Sequence, residues 1–320
     1  MTMHKMLLAT VATVALQGVA IKAYAADVTI GVPSWSHAQT IANIIEAVLA
    51  DELGIDIAMV PGTNPVLFEA MDKGSVDVHP DVWMPNQKDL VNKYVNERGT
   101  VLLSENGYTG SAATCVTKAT AEKTGVKSIY DLGDPEIARL FDTDGDGKGE
   151  IWAGAAGWAS TTIEQVRFKS FGISETFEVL VMEEELGIAR LRAAQVSGEP
   201  LATMCVIPHA MWKIADLVVL EEPEYDESKW NMIQPTEDPD WLKKAHVEVA
   251  WPEMNVQLAY AKRLETDQAA AAEILSRISF QTEEISDFIF QATELKRDPA
   301  DIAGDWMKAN PDRIRGWQGL

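Results

Sequence analysis

From Asp27 to Trp83 the chain alternates strand and helix signals, and that alternation constrains the fold more than any other feature of the sequence. "DVTIGVPSW" (27–35) reads as a buried strand. Ser36 can then cap a helix in which Ile41, Ile44, Ile45, Val48, Leu49 and Leu53 recur at helical spacing, and which Gly54 ends. "IDIAMVP" (55–61) is a second strand, a short helix over 65–72 stops at Gly74, and "VDVHPDVW" is a third strand. A β-α-β-α-β run requires crossover helices and a parallel sheet. In such sheets ligands bind outside the carboxyl ends of the strands. Trp35 and Trp83 both stand at such ends, so they are expected to face one crevice.

A second α/β set follows. "GSAATCVTK" is a strand, 119–140 holds helical turns, and "GEIWAGAAGW" leads into a helix starting near Ser160. "TFEVLVM" is a strand, a helix covers about 184–196, and "PLATMCVIP" is another strand. "NVQLAYAKRL" and the helical tail 265–320 return to the first unit. The expected organisation is one lobe over 26–109, a second over 110–228, and a return to the first over 229–320. Two crossovers then join parallel-sheet α/β lobes around a cleft that opens and closes on a hinge.

The first 25 residues differ from the rest. Lys5 and Lys22 are their only charges, Met6 to Leu16 is apolar, and Ala23-Tyr24-Ala25 is a small-x-small cleavage site. This reads as a signal peptide cleaved after Ala25. A membrane anchor is the rival, but the apolar run is too short and Gln17 and Gly18 break it. The formal net charge of −22 argues against nucleic acid and anionic membrane surfaces as partners, and fits a monomer in an exported compartment. Cys115 and Cys205 are the only cysteines. Both lie in apolar strand-like runs, and either a disulfide or two buried thiols is compatible with export.

Ten tryptophans against six tyrosines is an excess of the costlier ring. Trp35, Trp83, Trp158 and Trp212 sit at strand-to-loop transitions; Trp152, Trp230, Trp241, Trp251, Trp306 and Trp317 read as packing residues. A single Trp is most often core or interface filler. Several aimed at one cleft make an aromatic cage, which suits a trimethylammonium group: a diffuse cation with no N–H to donate. Each indole face contributes roughly 0.5–2 kcal/mol. Four faces plus apolar burial approach the ~8 kcal/mol of micromolar binding.

The stretch 134–161, "DPEIARLFDTDGDGKGEIWAGAAGWAS" and the Thr after it, together with "VWMPN" and "IPHAMWKIADLVVLEEP", resembles the glycine betaine and proline betaine binding proteins of ABC importers, over most of the chain after Ala25. The resemblance implies a two-lobed periplasmic binding protein of type II that hands its ligand to a membrane permease coupled to an ATPase. Trp83 matches the family Trp of the "W-x-P" turn, and Trp158 that of the "G-W" turn. The third family Trp, two residues before the proline of "W-x-P-H", is replaced by Val206. Trp35 matches a Trp of the related choline binders, and Trp212 is the candidate for the missing wall. A four-Trp box of this kind is similar to the trimethylamine N-oxide binders of the family. The expected ligand is therefore trimethylamine N-oxide, with glycine betaine or choline as the alternative. A ligand-sensing adaptor would use the same fold and cage.

The polar end of such a ligand needs donors. Ser160 and Thr161 begin a helix whose free N–H groups attract an anion, and His209 matches the family histidine that meets the carboxylate. Asn86 and His37 are weaker candidates. No acceptor for a choline hydroxyl stands out. Separately, Asp142, Asp144 and Asp146 with Gly147 match the first half of a calcium loop, with the Lys148 carbonyl as the next ligand. Ala153 occupies the position of the usual bidentate Glu, leaving Glu150 as a substitute. A structural calcium and a plain Asp-Gly surface turn are both open; no cofactor is required. No catalytic signature is present. Asp77 and Asp81 flank the third strand and read as helix-facing or solvated acids rather than a catalytic pair. An exported calcium-dependent hydrolase is the enzymatic rival.

Overall fold

A computed structural model describes residues 26–319; the expected signal peptide lies outside them. The first unit is β1 (Val28–Val32), α1 (Ser36–Leu53), β2 (Ile57–Pro61), α2 (Asn64–Lys73) and β3 (Val78–Met84). β1 pairs in parallel with both β2 and β3, as the alternation requires. α1 ends where expected, because Gly54 takes a left-handed conformation (φ 65°) and returns its N–H to the Ala50 carbonyl. Its start differs by one residue. Trp35 is the extended N-cap and Ser36 the first helical residue, with no side-chain capping bond.

β4 (Val101–Thr117) is much longer than the strand expected from "GSAATCVTK", and it joins the lobes. The rest of the second lobe is β5 (Gly149–Gly154), α3 (Ala159–Ser170), β6 (Phe177–Val181), α4 (Glu184–Ser197), β7 (Ala202–Ile207) and β8 (Leu217–Val219). β9 (Met254–Ala261) then precedes α5 (Ala269–Arg277), α6 (Thr282–Thr293) and α7 (Pro299–Ala309). The strand order is β2-β1-β3-β9-β4-β7-β5-β6, with β8 also on β4. Up to Gly110, β4 pairs antiparallel with β9; from Ser111 it pairs antiparallel with β7. The chain therefore crosses between lobes in mid-strand. Each lobe keeps its parallel core, but β9 lies antiparallel to β3 and β4, so the sheets are mixed.

The return to the first lobe comes later than residue 229. Trp230–Asn231 and His246–Val247 form a small hairpin. Ala245, Val247 and Val249 pack on Val166 of α3, in the second lobe. The chain rejoins the first sheet at Met254. Arg167, fully buried on α3, fastens this segment. It donates to Glu164 (2.7 Å), to Glu222 (2.6 Å) and to the Val249 carbonyl (3.3 Å), while the Trp251 indole N–H also donates to Glu164.

Each lobe has its own core. In the first, Ile41, Ile44, Ile45 and Val48 of α1 pack with Ile285, Phe288, Ile302 and Trp306 of the C-terminal helices. In the second, Val116, Ile151, Phe168 and Phe177 form the centre. Full burial of each such side chain contributes roughly 1.5–3 kcal/mol. Trp306 and Trp317 stack at 5.6 Å, and Trp152 and Trp251 are buried too, as packing residues. Cys115 and Cys205 form a disulfide between β4 and β7. Among the described residues no helix is long and apolar enough to cross a membrane.

Candidate ligand-binding cleft

The carboxyl ends of β1, β3, β5 and β7 converge on one cleft, with about 600 Å³ of empty space that is partly continuous with solvent. Trp35, His37, Trp83, Asn86 and Gln87 line it from the first lobe, and Trp158, Ser160, Glu184, Val206 and His209 from the second. Among the described residues, no Lys or Arg lines it.

Sheet geometry places these groups. Residues two apart on a strand share a face, so Asp81 and Trp83 of β3 point the same way, while a register shift in the pairing with β9 turns His79 to the other side, against Phe68. The Trp83 indole N–H donates to Asp81 Oδ2 at 2.7 Å. From the end of β1, the Trp35 indole N–H reaches the same oxygen at 2.6 Å, and His37 Nε2 lies 3.0 Å from it. Tyr108 of β4 donates its hydroxyl to Oδ1 at 2.5 Å, and its ring meets Trp83 edge-on. Burial alone would raise the Asp81 pKa, but the charge and hydrogen bond of His37 and the bonds from Tyr108 and Trp83 outweigh it and hold the carboxyl below its usual value. Burial, reinforced by the Asp81 charge, pushes the Tyr108 hydroxyl well above its ordinary pKa. Asp81 is thus an ionised, fully buried carboxylate, and the reading of it as a solvated acid is corrected. Asp77 is also buried, with Arg263 beside it and the Thr29 N–H on its carboxylate.

From the second lobe, Trp158 caps α3 with no side-chain bond to the helix's first N–H groups, and Ser160 faces the cleft. His209 follows β7, accepts the Met211 N–H on Nδ1 (3.1 Å), and sets Nε2 3.2 Å from Glu184 Oε1. The two atoms lie within ion-pairing distance. Burial works to raise the Glu184 pKa; His209, through bond and charge, and the charge of His37 outweigh it and leave it lowered. Among the described residues the buried Asn86 Oδ1 and Gln87 Oε1 have no hydrogen-bond partner, which leaves the polar end of the cleft with unused acceptor capacity.

Trp212 and Thr161 fall outside this arrangement. Trp212, in a helical turn after β7, folds back on that strand, donating its indole N–H to the Val206 carbonyl at 2.9 Å, and packs on the β4–β7 side of the second lobe. Val206 itself lines the cleft, so the missing wall is not rebuilt and three indoles remain. The Thr161 hydroxyl is spent on the Ala155 carbonyl at 2.7 Å. Sequence reasoning missed Asp81, Glu184 and Gln87. The two-residue spacing of Asp81 to Trp83 was a usable signal. Glu184, the middle of three consecutive acids, carried none.

The acidic loop is separate from the cleft. Asp142, Asp144 and Asp146 gather ligand oxygens within 4.8 Å of one another. Loop N–H groups already cap them: Gly145 and Gly147 on Asp142, Asp146 on Asp144, and Lys148 on Asp146. Glu150 turns away, accepting from the Thr143 N–H and hydroxyl and pairing with Arg190 at 3.7 Å, so it does not complete the set.

Two lobes hinged on antiparallel strands, with an aromatic and polar cleft between them, define a substrate-binding protein. Residues 26–309 match the family described as the substrate binding domain of the ABC-type glycine betaine transport system, and the chain belongs to that family. The family is one of binding domains rather than enzymes, and the hydrolase reading falls with it. The glycine betaine/proline betaine-binding periplasmic protein of Salmonella typhimurium is 32% identical over 103 residues, covering 30% of this chain and 29% of that one. The chain thus spans about three tenths of that relative's length. Its Escherichia coli counterpart is 22% identical over 209 residues, covering 63% and 62%. Among solved structures, an ABC-transporter choline binding protein in complex with choline superposes with a TM-score of 0.70 at 18% identity, covering 91% of both chains. Lactococcal OpuAC, closed on glycine betaine, gives 0.68 at 17% identity, covering 91% of this chain and 98% of that one.

Proposed function

We infer that this protein is the exported, monomeric substrate-binding component of an ABC importer and that it captures glycine betaine between its lobes for a membrane permease and its ATPase. The observation that carries this reading is the pairing of three indoles with an uncapped helix N-terminus in one cleft. Trp35, Trp83 and Trp158 suit the trimethylammonium head, because ring faces attract a diffuse cation at small desolvation cost. The start of α3 at Ala159 and Ser160, with no side-chain cap, suits the carboxylate together with the His209 ring. The names of the family and its relatives agree. The preference for trimethylamine N-oxide rested on a fourth indole, and Trp212 lies elsewhere.

Choline is the second reading, favoured by Glu184. It is a buried acceptor lining the cleft, in surroundings without Lys or Arg, and it suits a ligand with net positive charge and a hydroxyl to donate. Calorimetric titration with glycine betaine, choline and trimethylamine N-oxide tests both, using the wild type and Glu184→Gln. The expected result is tightest binding of glycine betaine, with the variant weakening choline more than betaine. Tightest binding of choline promotes the second reading. Silence to all three overturns the cage assignment.

A further inference from the structure

Asp81 does not meet a ligand directly, because it is not among the residues that line the cleft. Four donors already converge on its carboxylate: Trp35, Trp83 and His37 on Oδ2, and Tyr108 on Oδ1. It is also fully buried. Whatever it does for binding it does through its neighbours, and two of these are cleft indoles held by their N–H groups. Plain packing does not require a charge here, since burying a carboxylate is costly even when it is paired.

Resting on the reading of the cleft as a trimethylammonium site, we propose that Asp81 is a positioning residue that sets the cleft's preference for a permanent cation over an uncharged molecule of the same shape. Two effects follow from its place. One oxygen shared by two indole N–H groups fixes both ring planes relative to each other. An N–H bonded to an anion is polarised, which shifts electron density into the ring, and the attraction of a ring face for a cation grows with the negative potential of that face. The carboxylate charge adds in the same direction, little screened in a water-poor interior. A neutral ligand gains from the fixed planes but not from the potential, so the two contributions separate experimentally.

The test pairs choline with 3,3-dimethylbutan-1-ol, in which carbon replaces the cationic nitrogen, and compares wild type with Asp81→Asn by calorimetry. The expected result is a fall in the choline-to-isostere affinity ratio of about tenfold, the scale of one strong cation–π contact. A variant that loses both ligands equally, or neither, overturns the proposal and leaves Asp81 a structural support. If the variant does not fold, the wild type still decides. In NMR spectra the indole N–H protons of Trp35 and Trp83 are expected downfield of that of Trp158, as charge-assisted donors; shifts no different from Trp158 overturn the proposal. Wild type that binds neither choline nor glycine betaine refutes the trimethylammonium reading instead, while the NMR comparison still reports on the Asp81 bonds.

Discussion

Acidification provides a quantitative test of the buried network behind the cage. His79 sits on β3, fully buried against Phe68. Its Nδ1 accepts the Asp81 backbone N–H at 3.2 Å, and its Nε2 bonds Asn64 Oδ1 at 2.9 Å. The backbone N–H can only donate, so Nδ1 carries no proton and the ring is the neutral Nε2–H tautomer. Burial lowers its pKa to about 4, against the opposing pull of Asp81. An unfolded histidine titrates near 6.5. Between those values the unfolded chain binds a proton that the native protein refuses, so stability rises with pH and is lost as pH falls from about 6.5 towards about 4. Lowering the pH from about 7 to about 4.5 should therefore cost roughly 2 kcal/mol through this residue alone. Asp81 and Glu184, both held below their usual pKa, lose their contributions only at lower pH, as it falls through their folded-state values. Urea unfolding at the two pH values measures the difference. His79→Asn keeps an acceptor for the Asp81 N–H and removes the titration, so it should be less stable near neutrality and nearly independent of pH in this window. A variant with the same pH slope as wild type would show that His79 takes up its proton in the folded state, and the argument would fail.

Two further predictions concern the tryptophans and the second lobe. Trp158→Ala should raise the ligand dissociation constant about tenfold by removing one ring face and its apolar contact, whereas Trp212→Ala should lower the melting temperature and leave affinity within about threefold; calorimetry and thermal melts separate them, and equal losses of affinity would put Trp212 back in the cage. Arg167→Met should destabilise the fold by roughly 3–5 kcal/mol, because Glu164 and Glu222 would remain buried without their cation; denaturant unfolding measures this, and a neutral result would mean those acids are protonated in the native state.

The parts of this structure legible in the sequence are those with local causes. The spacing of Ile41, Ile44, Ile45, Val48 and Leu49 fixes the buried face of α1, and Gly54 fixes its end. Three strands separated by two helices call for a parallel sheet, and the pairing of β1 with β3 puts Trp35 and Trp83 at neighbouring strand ends. The misreadings have long-range causes. Trp158 and Trp212 look alike in sequence, each large, aromatic and at a turn into a helix. They part only because the Val206 carbonyl lies within reach of one indole N–H. The return to the first lobe was set too early because nothing local distinguishes residues 230–249 from the segment after them; their place is decided by packing on Val166 and by Arg167 reaching Val249.

Two carboxylates, Glu184 in the cleft and Asp81 behind its indoles, show why chemistry is harder to read than fold. Both are buried, both are held ionised by neighbours, and in sequence each reads as an ordinary surface acid. What separates them is the number of donors each has met. Asp81 carries four, so its effect on a ligand passes through the indoles it holds. Glu184 lines the cleft and is met chiefly by His209, 3.2 Å from one oxygen, so it has capacity for a ligand group. One acid shapes the rings and the other is free to meet what they enclose. That division depends on side chains from β1, β3, β4 and α4 arriving at one place, and no single stretch of the chain encodes it.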